Sequence, residues 1–137
     1  MKKKSNQQKT KKKNEFRYHN VILIRSDGHK IKVRHPAYIF LEKGNLYIYV
    51  SITHSNKVEN LITIKLRRNP NPQDKLDSYR IVGIKEDTKD KFGRREQDWS
   101  IDVEDEQDIR DEYKKRWFCR LVSQLMDTGE LAPANHL

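Results

Sequence analysis

The sequence predicts a mainly β domain, a small barrel or strongly bent antiparallel sheet, followed by one C-terminal helix. Three observations carry this. Short β-prone runs are separated repeatedly by Asp-Gly, Gly-Asn and Asn-Pro turn signals. The one sustained helical period lies late in the chain, where Ile109, Tyr113, Trp117, Leu121 and Leu125 recur every fourth residue, widened by Phe118 and Val122. Only 34% of the 137 residues are hydrophobic. That is low against the usual ~45–50%, so the core is small, and the length suits one domain.

Residues 1–16 are lysine-rich and nearly free of apolar side chains, which predicts a disordered tail. Through Arg17 the start of the chain holds eight cations against Glu15 alone, and so supplies seven of the nine net positive charges. Lys11, Lys12 and Lys13 would then grip phosphates in a salt-sensitive way, or only solubilise the chain. A single domain is expected over residues 17–128. Val21 to Arg25 and Lys30 to Val33 flank Ser26-Asp27-Gly28 and read as a hairpin. A second hairpin follows, with strands at Ala37 to Leu41 and Leu46 to Ile52 around Glu42-Lys43-Gly44-Asn45. Within it Tyr47 to Val50 form a continuous apolar run, which fits a strand covered on both faces or lying at an interface.

Leu61 to Leu66 is the next strand candidate, and Asn69-Pro70-Asn71-Pro72 stops it. Ser78 to Ile84 resumes as a strand. Glu86 to Asp98 is polar throughout except at Phe92-Gly93, and predicts a long charged loop. The helix is expected over about residues 103–126. Asp102 and Asp105 have capping-box spacing, and Gly129 offers a stop before a frayed end at 129–137.

Function is read from the open ends of the second hairpin. Arg34 and His35 precede its first strand; Thr53, His54 and Ser55 follow its second. Antiparallel strands lie under ~5 Å apart, so these residues converge on one rim. Two histidines can divide the work of proton acceptor and donor near neutral pH. With a cation at Arg34 and hydroxyls at Thr53 and Ser55, the set suits cleavage of RNA by its own 2′-hydroxyl, which needs no metal or other cofactor. Taken singly, His35 reads as a strand-edge residue and His54 as a turn support. Lys57, Lys65, Arg67 and Arg68, with Lys89 and Lys91 from the long loop, would form a basic lip for nucleic acid, or a solvated charged surface.

Other classes find little support. The histidines lack metal-ligand spacing, and no P-loop, Rossmann glycines or Gly-x-Ser-x-Gly elbow is present. The single cysteine, Cys119, excludes a disulfide framework and reads as a helix packing residue. No apolar run approaches the ~18 residues of a membrane span, and no hydrophobic segment follows the basic start, so a cytoplasmic location is expected.

The order of segments resembles the PemK/MazF group of toxin endoribonucleases. The resemblance is carried by His35-Pro36-Ala37-Tyr38-Ile39-Phe40, by Val50-Ser51-Ile52-Thr53-His54-Ser55 and by Thr88-Lys89-Asp90-Lys91 ahead of the last helix. It implies an SH3-like barrel, single-stranded RNA as substrate, an antitoxin protein as partner and catalysis by an arginine with a threonine or serine. The chain departs from that pattern in placing His35 where the family has arginine, with Arg34 one residue earlier. Two other readings stand beside it: a non-catalytic nucleic-acid-binding accessory protein, and an interaction module using Tyr47 to Val50 or Trp117-Phe118 for a homodimer or another partner.

Overall fold

A computed structural model describes residues 9–58 and 60–127. The strands are β1 (Thr10–Ile24), β2 (Lys30–Lys43), β3 (Leu46–Thr53), β4 (Thr63–Lys65), β5 (Tyr79–Ile81) and β6 (Lys85–Thr88). A 3-10 turn at Lys89–Lys91 and the helix α1 (Val103–Asp127) complete the chain. The predicted tail at 1–8, the Gly129 stop and the frayed end lie outside the described residues.

The central hairpin forms as the turn residues require. Gly44 takes φ 57° and the chain reverses between Lys43 and Leu46. Two expectations around it need correction. The runs at Lys30 to Val33 and Ala37 to Leu41 are one strand, because Pro36 sits within β2 opposite Tyr18 and does not interrupt it. The tail does not extend to residue 16, because β1 starts at Thr10 and pairs with β2 along its whole length. Composition misled there for a definable reason. Lys13 lies between Glu15 and Glu42 at 3.6 and 3.3 Å, and Glu15 and Phe16 are buried. A basic segment with few apolar residues is thus held by a ladder and by carboxylates rather than by its own hydrophobicity.

All pairing is antiparallel, in the order β1-β2-β3-β5-β4, with β6 on the half of β3 that β5 leaves free. β6 falls inside the segment expected to be loop, since its Lys-Glu-Asp-Thr sequence has no β-prone residue but Thr88. The sheet does not close into a barrel. The gap between β6 and β1 is spanned by the isolated bridge His19↔Phe92 and by Gly93 and Glu96, whose N–H groups donate to the carbonyls of Tyr18 (2.9 Å) and Phe16 (2.8 Å).

The period-2 pattern of β2 and β3 places side chains on both faces. Tyr38, Phe40, Ile48, Val50 and Ile52 pack with Phe16, Leu66, Ile101 and Ile109 under α1. Ala37, Ile39, Tyr47 and Tyr49 pack on the other side against Phe92. Tyr47 to Val50 are all buried, so that run is core and not a partner surface.

Asp102 caps α1, its Oδ1 accepting from the N–H groups of Glu104 (2.9 Å) and Asp105 (3.3 Å). Asp102→Ala is expected to cost about 1 kcal/mol, read as a small fall in the urea midpoint at unchanged slope. Asp105 does not close a capping box. It is buried and holds Arg67, accepting from its backbone N–H (2.9 Å) and its guanidinium (2.8 Å). Only the first half of the predicted apolar stripe reaches the core. Ile109 is fully buried, whereas Trp117 and Phe118 are 57% and 62% exposed, and Cys119 is exposed rather than packed. Among the described residues no helix is long and apolar enough to cross a membrane.

Candidate active-site cleft

The ladder between β2 and β3 ends at Ala37↔Ser51. Pro36 has no N–H to extend it. Past that point β3 takes β5 as its neighbour, pairing Ile52 with Arg80 and Thr53 with Tyr79. The two strands part, and a cleft of about 470 Å³ opens in the fork. Arg34 and His35 line one side, Thr53, His54 and Ser55 the other. Tyr18, Ser78 and Trp99 complete the lining with Asn69, Asn71 and Asp74. The structure thus brings together the five rim residues that the hairpin ends predict, and adds others.

His54 is tethered. Its Nε2 lies 3.0 Å from Asp74 Oδ2, and its Nδ1 lies 3.3 Å from the Asp77 carbonyl oxygen. Both ring nitrogens face oxygen atoms, which fixes the orientation of the ring. Asp74 is itself positioned by the Asn-Pro loop. Asn69 Nδ2 donates to the Leu76 carbonyl (2.9 Å), Asn69 Oδ1 accepts from Asn71 N–H (2.9 Å), and Asp74 Oδ1 accepts from Leu76 N–H (2.9 Å). No hydrogen bond or ion pair among the described residues engages the side chain of His35, which is exposed. The cleft therefore holds one free imidazole and one bound to a carboxylate.

Arg34 lies over the ring of Tyr18, its guanidinium carbon 4.4 Å from the centroid, and Tyr18 meets Trp99 edge-on at 5.9 Å. Although strict alternation would turn Arg34 away from His35, both reach the cleft at its open end. Thr53 Oγ1 accepts from Ser55 N–H (3.2 Å), which leaves its own proton available to a ligand. Ser55 is committed to the turn, donating to the Lys57 carbonyl (2.8 Å) and accepting from Lys57 N–H (3.2 Å). Ser78 is 1% exposed, and its Oγ has no hydrogen-bond partner among the described residues. An unpaired buried hydroxyl costs about 1–3 kcal/mol, so this atom favours a ligand that can reach it.

The basic lip is not built around this cleft: none of its cations lines it. Arg67 is held by Asp105, Asp108 and Glu104 at the start of α1, and these carboxylates raise its already high pKa. Lys65 pairs with Asp77 at 3.4 Å, and Lys89 pairs with Glu42 at 2.8 Å. Arg68 donates to Ser100. Lys57, Lys91, Lys11 and Lys12 are exposed, and none of them lines the cleft. Lys13 is drawn down by burial, but Glu15 and Glu42 outweigh this and hold its ammonium above the usual value. The pairing of Lys65, Arg67 and Lys89 is not legible in sequence because their carboxylate partners lie twelve or more residues away.

Tyr18, Trp99, Ser78 and Asp74 were not identified from sequence. Tyr18 had a findable signal, since an aromatic directly opposite Pro36 follows from the long ladder of β1. The other three depend on where loops return.

His19 belongs to a separate, partly buried group. Its Nε2 is 2.8 Å from Asp87 Oδ2, its Nδ1 is 3.3 Å from the Tyr49 hydroxyl, and its ring packs against Tyr49 and Phe92. Burial, with the Asp87 charge adding to it, pushes the Tyr49 hydroxyl up to about 12. For Asp87 itself, burial acts upward, but the His19 hydrogen bond, Thr88 N–H and Lys91 hold the carboxyl below its ordinary value. A depressed carboxylate adds stability that is present above the unfolded-state pKa and disappears as pH falls through the folded one. Asp87→Asn should therefore lower Tm at neutral pH, and its gap from wild type should shrink as pH falls below about 4.

Among the described residues no group of three or more His, Cys, Asp or Glu side chains is placed to hold a metal ion. Comparison of the chain with protein-family models, with curated proteins and with solved structures finds no match, so the cleft is interpreted from its own chemistry.

Proposed function

We propose that the protein is an endoribonuclease that cleaves single-stranded RNA without a metal, by attack of the substrate's 2′-hydroxyl. The observation that supports this reading is the meeting of a free imidazole, a carboxylate-bound imidazole, a guanidinium and a threonine hydroxyl in one cleft. His35 removes the proton from the 2′-hydroxyl. The oxygen then attacks phosphorus, and the bond to the 5′-oxygen breaks. His54, oriented by Asp74 and the Asp77 carbonyl, returns a proton to that oxygen. The products are a 2′,3′-cyclic phosphate and a 5′-hydroxyl. Arg34 and the hydroxyl of Thr53 stabilise charge on the phosphoryl oxygens. Tyr18 and Trp99 offer aromatic surface against which an unstacked base can lie.

An antitoxin partner is part of the proposal only through the sequence resemblance. A second reading is a binding cleft without chemistry. It is favoured by the engagement of both nitrogens of His54, which leaves only His35 free. The two are separated by incubating the folded protein with long single-stranded RNA in the presence of chelator and analysing fragment ends. Cyclic phosphate termini support the enzyme. Intact RNA bound to folded protein overturns it and leaves the binding cleft.

A further inference from the structure

The β1–β2 hairpin continues well beyond the cleft as a two-stranded ribbon. Its register pairs Asn20 with Arg34, Ile22 with Lys32 and Ile24 with Lys30. Directly opposed residues share a face, so Lys30, Lys32 and Arg34 stand in one row, successive members ~6.8 Å apart. The same face of β2 continues through Pro36 to Tyr38, so the row leads into the cleft, where Arg34 and Pro36 are lining residues. Among the described residues no carboxylate pairs with any of the three, whereas Lys65, Arg67 and Lys89 are all held by carboxylates. Ile22 and Ile24 flank the row and are 60% and 71% exposed.

We infer that this face of the ribbon is an extended binding track for the backbone of single-stranded RNA running out of the cleft. Lys30 and Lys32 contact successive phosphates, and Arg34 marks the point where the strand enters the site. The aliphatic side chains of Ile22 and Ile24 lie where unstacked bases can cover them. The inference rests on the cleft being an RNA site, and it adds that recognition extends over several nucleotides on one side of it. Continuity with the cleft favours RNA over the other polyanion that suits an exposed basic and aliphatic hairpin, an anionic membrane.

The test compares wild type with Lys30→Ala/Lys32→Ala, both shown to be folded by circular dichroism. These side chains are exposed, so the substitutions leave the core untouched. Each single-strand phosphate contact contributes ~0.7 to the salt slope, so the variant's plot of log affinity for long RNA against log salt should be shallower by roughly 1.4. Cleavage of a dinucleotide, too short to reach the ribbon, should be unchanged. An unaltered slope overturns the track while dinucleotide cleavage upholds the cleft. A shallower slope without cleavage by wild type upholds the track and overturns the enzyme. Loss of binding to phosphatidylserine vesicles with RNA binding intact overturns the track in favour of a membrane surface.

Discussion

Replacing His35 by alanine is expected to lower cleavage of single-stranded RNA by roughly 10²–10⁴-fold, the usual contribution of a positioned acid or base. The fold should survive, because the His35 side chain is exposed and makes no hydrogen bond or ion pair among the described residues. His54→Ala should cause a loss of similar size. Asp74→Asn should cost less, since an amide oxygen still accepts a hydrogen bond from Nε2 and keeps the ring oriented. Turnover and product ends measured for the three variants check the assignment. Equal activity in His35→Ala and wild type would remove His35 from the chemistry and leave the cleft as a binding site.

Glu112→Ala is expected to destabilise the protein by about 3 kcal/mol, which lowers Tm by roughly 10 °C at this size. The reason is Arg80. Its guanidinium is only 5% exposed and donates to Glu112 at 2.8 Å, joining β5 to α1. Removing the carboxylate leaves a buried cation without its counter-charge, and water reaches it poorly. Glu112 is itself partly exposed, which keeps the estimate at the lower end of the ~3–5 kcal/mol seen when buried pairs are broken. Replacing both partners, as in Arg80→Met/Glu112→Leu, should restore most of the stability, because no desolvated charge then remains. Chemical denaturation of the single and double variants checks this. A loss in the double variant as large as in Glu112→Ala would mean that the pair does more than neutralise Arg80.

Much of the local structure was legible from neighbouring residues. Gly44 and Asn45 specify where the central hairpin reverses, and Asp27-Gly28 specifies the outer one, where Gly28 takes φ 87°. The continuous apolar run Tyr47 to Val50 fits the strand covered on both faces that β3 forms. The error at β1 has a common physical form: a sequence of lysines, asparagine and threonine carries no hydrophobic signal, yet a long partner strand supplies its hydrogen bonds. The helical stripe erred in the opposite sense. Its period continues to Leu125, but the sheet beneath it ends earlier, and so Trp117 and Phe118 remain exposed.

The sequence by itself determined the class of the fold, the position of both hairpin turns and the helix, and the hairpin ends that carry Arg34, His35, Thr53 and His54. Those features depend on residues close together in the chain, where turn chemistry and side-chain period act directly. Only the tertiary structure decided that β3 changes partner beyond Pro36, so that the rim becomes a cleft rather than a flat edge. It also decided which histidine is tethered, because Asp74 reaches His54 across twenty residues of loop and strand, and which cations are neutralised by carboxylates from α1 and β2. Long-range pairing of this kind leaves no local pattern: each partner is an ordinary polar residue until the fold brings the other within 3 or 4 Å.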